Sequence, residues 1–480
     1  MNIIFNIIFV INIPLALTII FIERKNPTAI LAWLSVLLFF PLGGFILYIF
    51  FGQNIHREKL FRHTVLEETL LERIVNNQKR QLTENCEYIT NKKMRNYSDI
   101  IKLNLNQNRS ILTQNNSIKI YTDGNDKFND LINDIKNSKH HIHIQYYILR
   151  NDSTGKKLIL ELTKAAIRGV EVRLLYDAMG GRTLFKRTFN RLRKNGGKVS
   201  VFFPSRLHLI NIRMNYRNHR KIVIIDGNTG YIGGYNIGNE YLGKSKFFGN
   251  WRDTHIRISG SSVLALQERF IMDWRYSSKE QISALTGFPY FIEHENPGKS
   301  AVQIVSSGPD EIDQQIKWLY IKMIQKAEKY IYIQTPYFVP DDALFETLKI
   351  ASLSGIDVRL MIPNKPDHLF VYWATYAYVG ELLKAGARCY IYEDGFLHAK
   401  TMVVDGMIAT VGTANYDVRS FKLNFEVNAV IYDEKVAQNL AEIFKNDLNK
   451  SMEMTIMHYN KRRYIIRIKE AFSRLLSSIL

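Results

Sequence analysis

The chain has 480 residues, more than one compact domain usually contains, so we expect two or more globular units. Hydrophobic residues make up 46% of it, which excludes disorder over most of its length, and two distant cysteines, Cys86 and Cys389, give no basis for a disulfide framework. The 64 Lys and Arg residues exceed the 45 Asp and Glu residues, and a net charge of +19 is typical of proteins that bind nucleic acid or an anionic membrane.

Two apolar stretches open the chain, at about residues 3–22 and 29–51. Each has the roughly 20 residues that a helix needs to cross about 30 Å of hydrocarbon. A short polar connection separates them, so the pattern predicts a transmembrane helical hairpin over residues 1–52. A cleaved secretory signal is the rival interpretation, but no basic region precedes the first stretch. Basic residues after the second stretch favour both chain ends in the cytoplasm.

Beyond a charged, Asn/Gln-rich juxtamembrane linker, predicted at residues 53–110, the chain contains an internal repeat. Short β-branched runs alternate with amphipathic segments in the same order twice, about 180 to 190 residues apart. The first copy has its runs at residues 141–145, 172–175, 198–201 and 218–227, and the second at 330–334, 358–361, 388–391 and 397–406.

This alternation predicts an α/β fold of two similar domains, at residues 111–290 and 291–480, with helices covering the sheet. An approximate two-fold axis between the domains would bring equivalent residues together at one interface. Two independent domains with separate sites are the alternative.

Each copy contains a histidine followed two residues later by a lysine. Residues i and i+2 of a strand share a face, so His219 and Lys221 point the same way, as do His398 and Lys400. The four residues after each pair are almost wholly apolar, which is typical of a buried strand. One such pair is a weak indication of a site, whereas two in matching context are a strong one.

An Asp-Gly pair closes each of these strands, at Asp226 and Asp405. Asp-Gly is a frequent hairpin turn, so we interpret both aspartates as structural supports of the candidate catalytic set. A role in proton transfer is the alternative. Further along each copy, Asn236 and Asn415 follow small residues, and their amides are suited to donate hydrogen bonds to a ligand. Local turn structure would also explain them.

Asp253 and Glu426 are candidates to hold the second nitrogen of an imidazole, although a solvated charge or a structural ion pair explains either of them equally well. The remaining histidines near apolar strands are predicted to be ordinary core residues; these are His141, His143, His208 and His255.

Two histidines, two lysines and two asparagines would form a compact cationic pocket. A phosphodiester is a permanent anion, so ammonium and amide groups suit its oxygens. One imidazole can attack phosphorus while the other donates and later accepts a proton. The lysines supply the countercharge, so neither a metal nor a cofactor is needed.

The paired motifs match the H-x-K-x4-D pattern of the phospholipase D superfamily, and nearly the whole chain resembles the bacterial cardiolipin synthases. The matching segments are residues 23–24, 31–33, 217–221, 232–238, 251–255, 334–338 and 424–426. The resemblance implies a membrane-embedded phosphatidyltransferase that acts on phosphatidylglycerol in an anionic membrane, on the cytoplasmic face, and binds no nucleic acid.

It also implies a mechanism. Two phosphatidylglycerol molecules would give cardiolipin and glycerol through a phosphatidyl-histidine, with His219 as nucleophile and His398 as acid and base, an order that could be reversed. The groups holding the phosphate oxygens would be Lys221, Lys400, Asn236 and Asn415. A hydrolase of the same chemistry is the nearest rival, and a non-catalytic lipid binder is a second.

Overall fold

The computed structural model describes residues 12–17, 20, 27–48, 60–84, 87–204, 215–283, 285, 290–292 and 297–476. Cys86, His208 and most of the first apolar stretch with its polar connection lie outside these residues. The second stretch contains helices α1 (Pro27–Phe39) and α2 (Pro41–Leu47). Across the described ranges, no helix is long and apolar enough to cross a membrane. The transmembrane hairpin therefore stays a prediction.

Helices α3 (Val65–Glu84) and α4 (Ser98–Asn108) lie in the segment predicted to be a linker. A reciprocal cap starts α3, because the Glu67 amide donates to the Thr64 hydroxyl and the Thr64 amide donates to the Glu67 carboxylate. Buried side chains of both helices, such as Leu71 and Ile101, belong to the apolar core of the second half of the chain. Much of this segment is thus packed against the second half.

The first half alternates strands and helices as the repeat predicts. Its elements are β1 (Thr113–Tyr121), α5 (Gly124–Asn137), β2 (His141–Tyr146), α6 (Ser153–Ile167), β3 (Glu171–Asp177), α7 (Asn190–Lys194), β4 (Lys198–Phe202), β5 (Arg217–Asn218), β6 (Ile222–Ile225), β7 (Thr229–Gly233), β8 (Trp251–Arg252), β9 (His255–Ser259) and α8 (Val263–Ser278).

The second half follows the same order and adds a C-terminal extension. Its elements are β10 (Ser300–Ser307), α9 (Gln315–Gln325), β11 (Tyr330–Gln334), β12 (Phe338–Val339), α10 (Asp342–Leu353), β13 (Asp357–Pro363), α11 (Leu369–Lys384), β14 (Arg388–Tyr392), β15 (Phe396–Leu397), β16 (Thr401–Val404), β17 (Ile408–Gly412), β18 (Tyr416–Asp417), α12 (Val418–Lys422), β19 (Asn424–Tyr432), α13 (Glu434–Leu448), β20 (Ser451–Met454), α14 (Ile456–Asn460) and α15 (Tyr464–Leu476).

Both halves contribute to one continuous sheet, in the order β20-β14-β13-β11-β16-β17-β19-β10-β1-β9-β7-β6-β2-β3-β4. The antiparallel pair β10–β1 joins the halves. Equivalent strands follow in the same spatial order on either side of that pair, for example β19, β17 and β16 on one side and β9, β7 and β6 on the other. The α/β class predicted from the repeat is confirmed.

One apolar cluster spans the junction between the halves. It combines Ile222 and Ile256 of the first half with Val403, Val411 and Val427 of the second, all at most 2% exposed. Apolar burial of this kind is the main stabilising contribution to folding, so the two halves are held together by core packing in addition to strand pairing.

Candidate functional site

Each motif histidine directly follows a strand of two residues that pairs with a strand of the other half. Strand β5 pairs in parallel with the start of β19, and β15 pairs in parallel with β8. The His219 amide donates to the Phe425 carbonyl at 3.0 Å, and the His398 amide donates to the Arg252 carbonyl at 2.7 Å. Each histidine is therefore fixed to a strand of the opposite half.

That crossing places a carboxylate of the opposite half against each imidazole. His219 Nδ1 lies 3.0 Å and 2.9 Å from the two oxygens of Glu426, and His398 Nδ1 lies 2.6 Å from Asp253 Oδ2. A carboxylate only accepts hydrogen bonds, so both Nδ1 atoms carry the proton and both Nε2 atoms are left for the cavity. The sequence left open whether Asp253 and Glu426 contact imidazoles, and in the structure both do.

Both histidines line one cavity of about 350 Å³, together with Asn236 and Asn415. Aromatic rings pack beside each imidazole, with Tyr147 at 5.0 Å from His219 and a tryptophan at 5.1 Å from His398 between ring centroids. The two histidines and two asparagines thus line a common space, whereas the two motif lysines do not. Separate sites in the two halves are excluded by this geometry.

The motif lysines are buried beneath the histidines. Lys221 Nζ donates to the His219 carbonyl at 2.6 Å, and Lys400 Nζ donates to the His398 carbonyl. Burial, partly offset by the nearby carboxylates, lowers the pKa of Lys221 to about 7 and that of Lys400 to about 8. An anion entering the cavity would favour the charged form of both.

The pKa values of both motif histidines are also lowered, which favours their neutral forms. Burial lowers the pKa of His219 to about 4, against the opposing effect of Glu426. Burial and the Lys400 ammonium lower the pKa of His398. Burial alone would raise the pKa of Glu426, but His219 and Lys221 hold it below its ordinary value. A neutral imidazole with Nδ1 protonated presents a lone pair on Nε2, which is what a nucleophile requires.

Asp226 and Asp405 lie at the far ends of the motif strands, about 16 Å from the lysines at the usual strand rise. Asp226 accepts hydrogen bonds from the amides of residues 139, 140 and 141, at 2.8, 2.8 and 3.1 Å. Asp405 accepts equivalent bonds from residues 328, 329 and 330, each at 2.8 Å. Their φ angles, 53° and 54°, suit the Asp-Gly turns that they begin. This geometry favours the structural interpretation over proton transfer.

The two asparagines have different partners. Asn236 Oδ1 accepts from the Ile148 amide at 3.0 Å, which leaves its amino group directed away from that bond. Asn415 Nδ2 donates to Asp417 at 3.2 Å, and its Oδ1 is buried without a hydrogen-bond partner. Both line the cavity, so both are placed to reach a ligand there.

Several residues at the site were not anticipated from the sequence. Thr413 and Asn424 donate to Glu426 at 2.6 Å and 3.1 Å and fix its orientation. Arg217 and Arg419 line the cavity beside His219. Arg217 lies on β5, two residues before His219, within the segment 217–221 that the sequence already singled out. No sequence pattern indicates Arg419.

The remaining histidines have core positions where the structure describes them. His141 and His143 are fully buried and contact Gln267 at 3.1 Å and 2.8 Å. His255 is fully buried on β9. No group of three metal-ligating side chains is found in the described part of the chain.

Comparisons with known proteins agree with this site. The family described as "Cardiolipin synthase, PLD-like domain" matches residues 131–271 and 320–448, and the family "Phospholipase_D-nuclease N-terminal" matches residues 10–53. The two matches of one domain family confirm the repeat found in the sequence.

Curated relatives match over the full length. The chain is 52% identical to the major cardiolipin synthase ClsA of Bacillus subtilis, covering 100% of this chain and 99% of that protein. It is 51% identical to a cardiolipin synthase of Staphylococcus aureus, covering 100% and 98%. Among solved structures, a phosphatidylserine synthase of Haemophilus influenzae superposes with a TM-score of 0.61 at 17% identity, covering 80% of this chain and 100% of that one, which shows a shared fold.

Proposed function

The chain belongs to the bacterial cardiolipin synthases of the phospholipase D superfamily, and we propose that it transfers a phosphatidyl group from one phosphatidylglycerol to another, releasing glycerol. The observation that carries this proposal is one cavity lined by two imidazoles from different halves, each held by a carboxylate of the other half. Such a pair suits a two-step displacement at phosphorus.

In the first step, His219 Nε2 attacks the donor phosphorus and forms a P–N bond. The P–O bond to glycerol breaks, and His398 Nε2 gives its proton to the departing oxygen. His219 is assigned as nucleophile because its pKa of about 4 keeps its lone pair free at neutral pH. His398 is assigned as acid because Asp253 raises its pKa against the opposing effects of burial and Lys400, and an arriving phosphodiester anion would favour the imidazolium form further.

In the second step, the glycerol hydroxyl of another phosphatidylglycerol attacks the phosphorus. His398 takes the hydroxyl proton, a new P–O bond forms and the P–N bond to His219 breaks. Lys221 and Lys400 stabilise the charge on the phosphoryl oxygens, with Asn236 and Asn415 as further hydrogen-bonding groups. Exclusion of water by the buried walls of the cavity would favour the lipid alcohol over hydrolysis.

Product analysis tests the proposal. The full-length protein in vesicles of labelled phosphatidylglycerol is expected to form cardiolipin and glycerol in equal amounts. Phosphatidic acid as the main product would show a hydrolase instead, and no turnover would show a lipid binder. Rapid denaturation in neutral detergent should trap a phosphatidyl-protein in wild type and in His398→Ala, and none in His219→Ala. Trapping in His219→Ala only would reverse the two roles.

The proposal includes attachment to the cell membrane through the N-terminal hairpin, with the catalytic halves on the cytoplasmic face. Its support is the apolar sequence of this region and the family match at residues 10–53. Deletion of residues 1–52 should move the protein from the membrane fraction to the soluble fraction. Protease added outside sealed spheroplasts should leave the catalytic halves intact, and their digestion would contradict this orientation.

A further inference from the structure

The two motif strands differ at the position that precedes each histidine on the same face. Arg217 lies two residues before His219 on β5, whereas Phe396 lies two residues before His398 on β15. The motifs themselves are equivalent, but Arg217 lines the cavity whereas Phe396 is buried behind it, so the two sides differ at this position.

A second arginine joins Arg217 on its side of the cavity. Arg419, in the first turn of α12, donates to the side chain and the carbonyl of Asn215 at 3.1 Å and 2.5 Å. Burial and the neighbouring Arg217 guanidinium both lower the pKa of Arg419. Asp417 lies close by, but its carboxylate accepts from the Ser420 amide at 2.6 Å and from an asparagine, and burial raises its pKa to about 6. Two guanidinium groups face one carboxylate on this wall, so its balance is cationic.

The opposite wall is aromatic and electrically balanced. Its rings are Phe248 and Trp251, and Phe396 packs behind them, 4.9 Å from Trp251 and 5.0 Å from Phe248 between ring centroids. Counted from Asn236, the position equivalent to Arg419 is Glu240, and Glu240 forms an ion pair with Arg150 at 3.0 Å. The cavity thus has two arginines beside His219 and a neutral surface beside His398.

We propose that Arg217 and Arg419 bind the phosphodiester of the acceptor phosphatidylglycerol. This inference rests on the proposed function, because that reaction brings two phosphodiesters into one cavity. The acceptor phosphate is joined through three glycerol carbons to the hydroxyl that attacks phosphorus, so it must lie beside the first phosphate. A second anion there needs its own countercharge, since the motif lysines serve the first.

Guanidinium groups suit this task because their fixed donors bind phosphate oxygens in pairs. Water and simple alcohols carry no phosphate, so the two arginines would assist only an anionic lipid acceptor. They take no part in bond making or proton transfer and act as specificity-determining groups in the second step.

Partition of the phosphatidyl-histidine between two acceptors tests the proposal. Full-length wild type and the variants Arg217→Gln and Arg419→Gln are compared in vesicles of labelled phosphatidylglycerol with ethanol added. The ratio of cardiolipin to phosphatidylethanol depends on the second step alone, because both products arise from one intermediate. Arg191→Gln, an exposed helix residue of the first half, is the matched control.

We expect each cavity variant to lower this ratio by about tenfold or more, as loss of a charge-assisted hydrogen bond implies. Arg217→Lys should recover part of the loss, and Arg191→Gln should leave the ratio unchanged. An unchanged ratio with slower formation of both products would place the arginines in the donor step and overturn the inference. Wild type that forms only phosphatidic acid would overturn the proposed function, and this inference with it.

Discussion

Replacing Glu426 by Gln tests how the site prepares its nucleophile. The carboxylate of Glu426 lies 2.9 Å and 3.0 Å from His219 Nδ1 and is fully buried, so no water can take its place. Glutamine has nearly the same shape but can present an amino group to Nδ1. The imidazole proton would then move to Nε2, and the lone pair that attacks phosphorus would be lost.

The expected loss of kcat in Glu426→Gln has two causes. A hydrogen bond to a charged group contributes about 1.5–3 kcal/mol, which corresponds to about tenfold to 150-fold in rate. Fixing the wrong tautomer adds to this, and in the serine protease triad the same type of substitution lowers kcat by about 10⁴. We therefore expect kcat to fall by about 10³ to 10⁴ in Glu426→Gln.

The measurement is the rate of cardiolipin formation and the amount of phosphatidyl-protein trapped by rapid denaturation at neutral pH. Glu442→Gln makes the same chemical change on an exposed helix, where the carboxylate contacts only a lysine at 2.8 Å, and it should retain wild-type activity. Thermal unfolding of both variants shows that they remain folded. A Glu426→Gln variant within about threefold of wild type, with normal trapping, would refute the tautomer argument, because that argument requires a loss of about 10³.

Three other predictions follow from the structure. The rate constant kcat/KM should rise with pH as His219 loses its proton near pH 4, and fall first as His398, whose pKa is lowered by burial and Lys400, loses the proton that it must donate. Loss of the lysine protons near pH 7 to 8 should extend the fall, so a rate still rising at pH 9 would contradict the assignment. The Asp226→Asn variant keeps one acceptor oxygen, and asparagine tolerates the positive φ. Its free energy of unfolding, from denaturant titration, should fall by about 1–2 kcal/mol, and its kcat should stay within about threefold of wild type. A large loss of kcat in folded protein would indicate a catalytic role for Asp226. The Asp273→Ala variant leaves the fully buried Arg220 without its ion-pair partner at 2.8 Å. Its free energy of unfolding should fall by about 3–5 kcal/mol in the same titration, whereas that of the exposed control Glu442→Ala should fall by at most about 1 kcal/mol.

The turns after the motif strands could be predicted, because each depends only on its Asp-Gly pair. The i, i+2 prediction was less successful, since residues 219–221 and 398–400 lie between strands and only the histidines of the two pairs line the cavity. The repeat predicted that the halves would share a site. All of these follow from residues within one element or from the order of elements.

The orienting contacts could not be assigned in the same way. Glu426 reaches His219 because β5, a strand of only two residues, pairs with a strand more than 200 residues away. A two-residue parallel pairing leaves no periodic pattern in the sequence. The packing of α3 and α4 against the second half is equally non-local, since their apolar faces indicate burial but not the surface that buries them.

The exchange of carboxylates between the halves also explains how two equivalent motifs can perform unequal tasks. Glu426 holds His219 through both oxygens and is itself fixed by Thr413, which fixes the orientation of the imidazole, while burial keeps it neutral. Asp253 holds His398 through one short bond, with the Lys400 ammonium 2.8 Å from the same nitrogen. A cation at that distance makes the imidazolium a stronger acid, which suits proton transfer to glycerol. The difference between nucleophile and acid therefore depends on the groups that contact Nδ1 of each histidine. Exchanging Asp253 and Glu426 in one double variant should slow both chemical steps while leaving the cavity and its arginines in place.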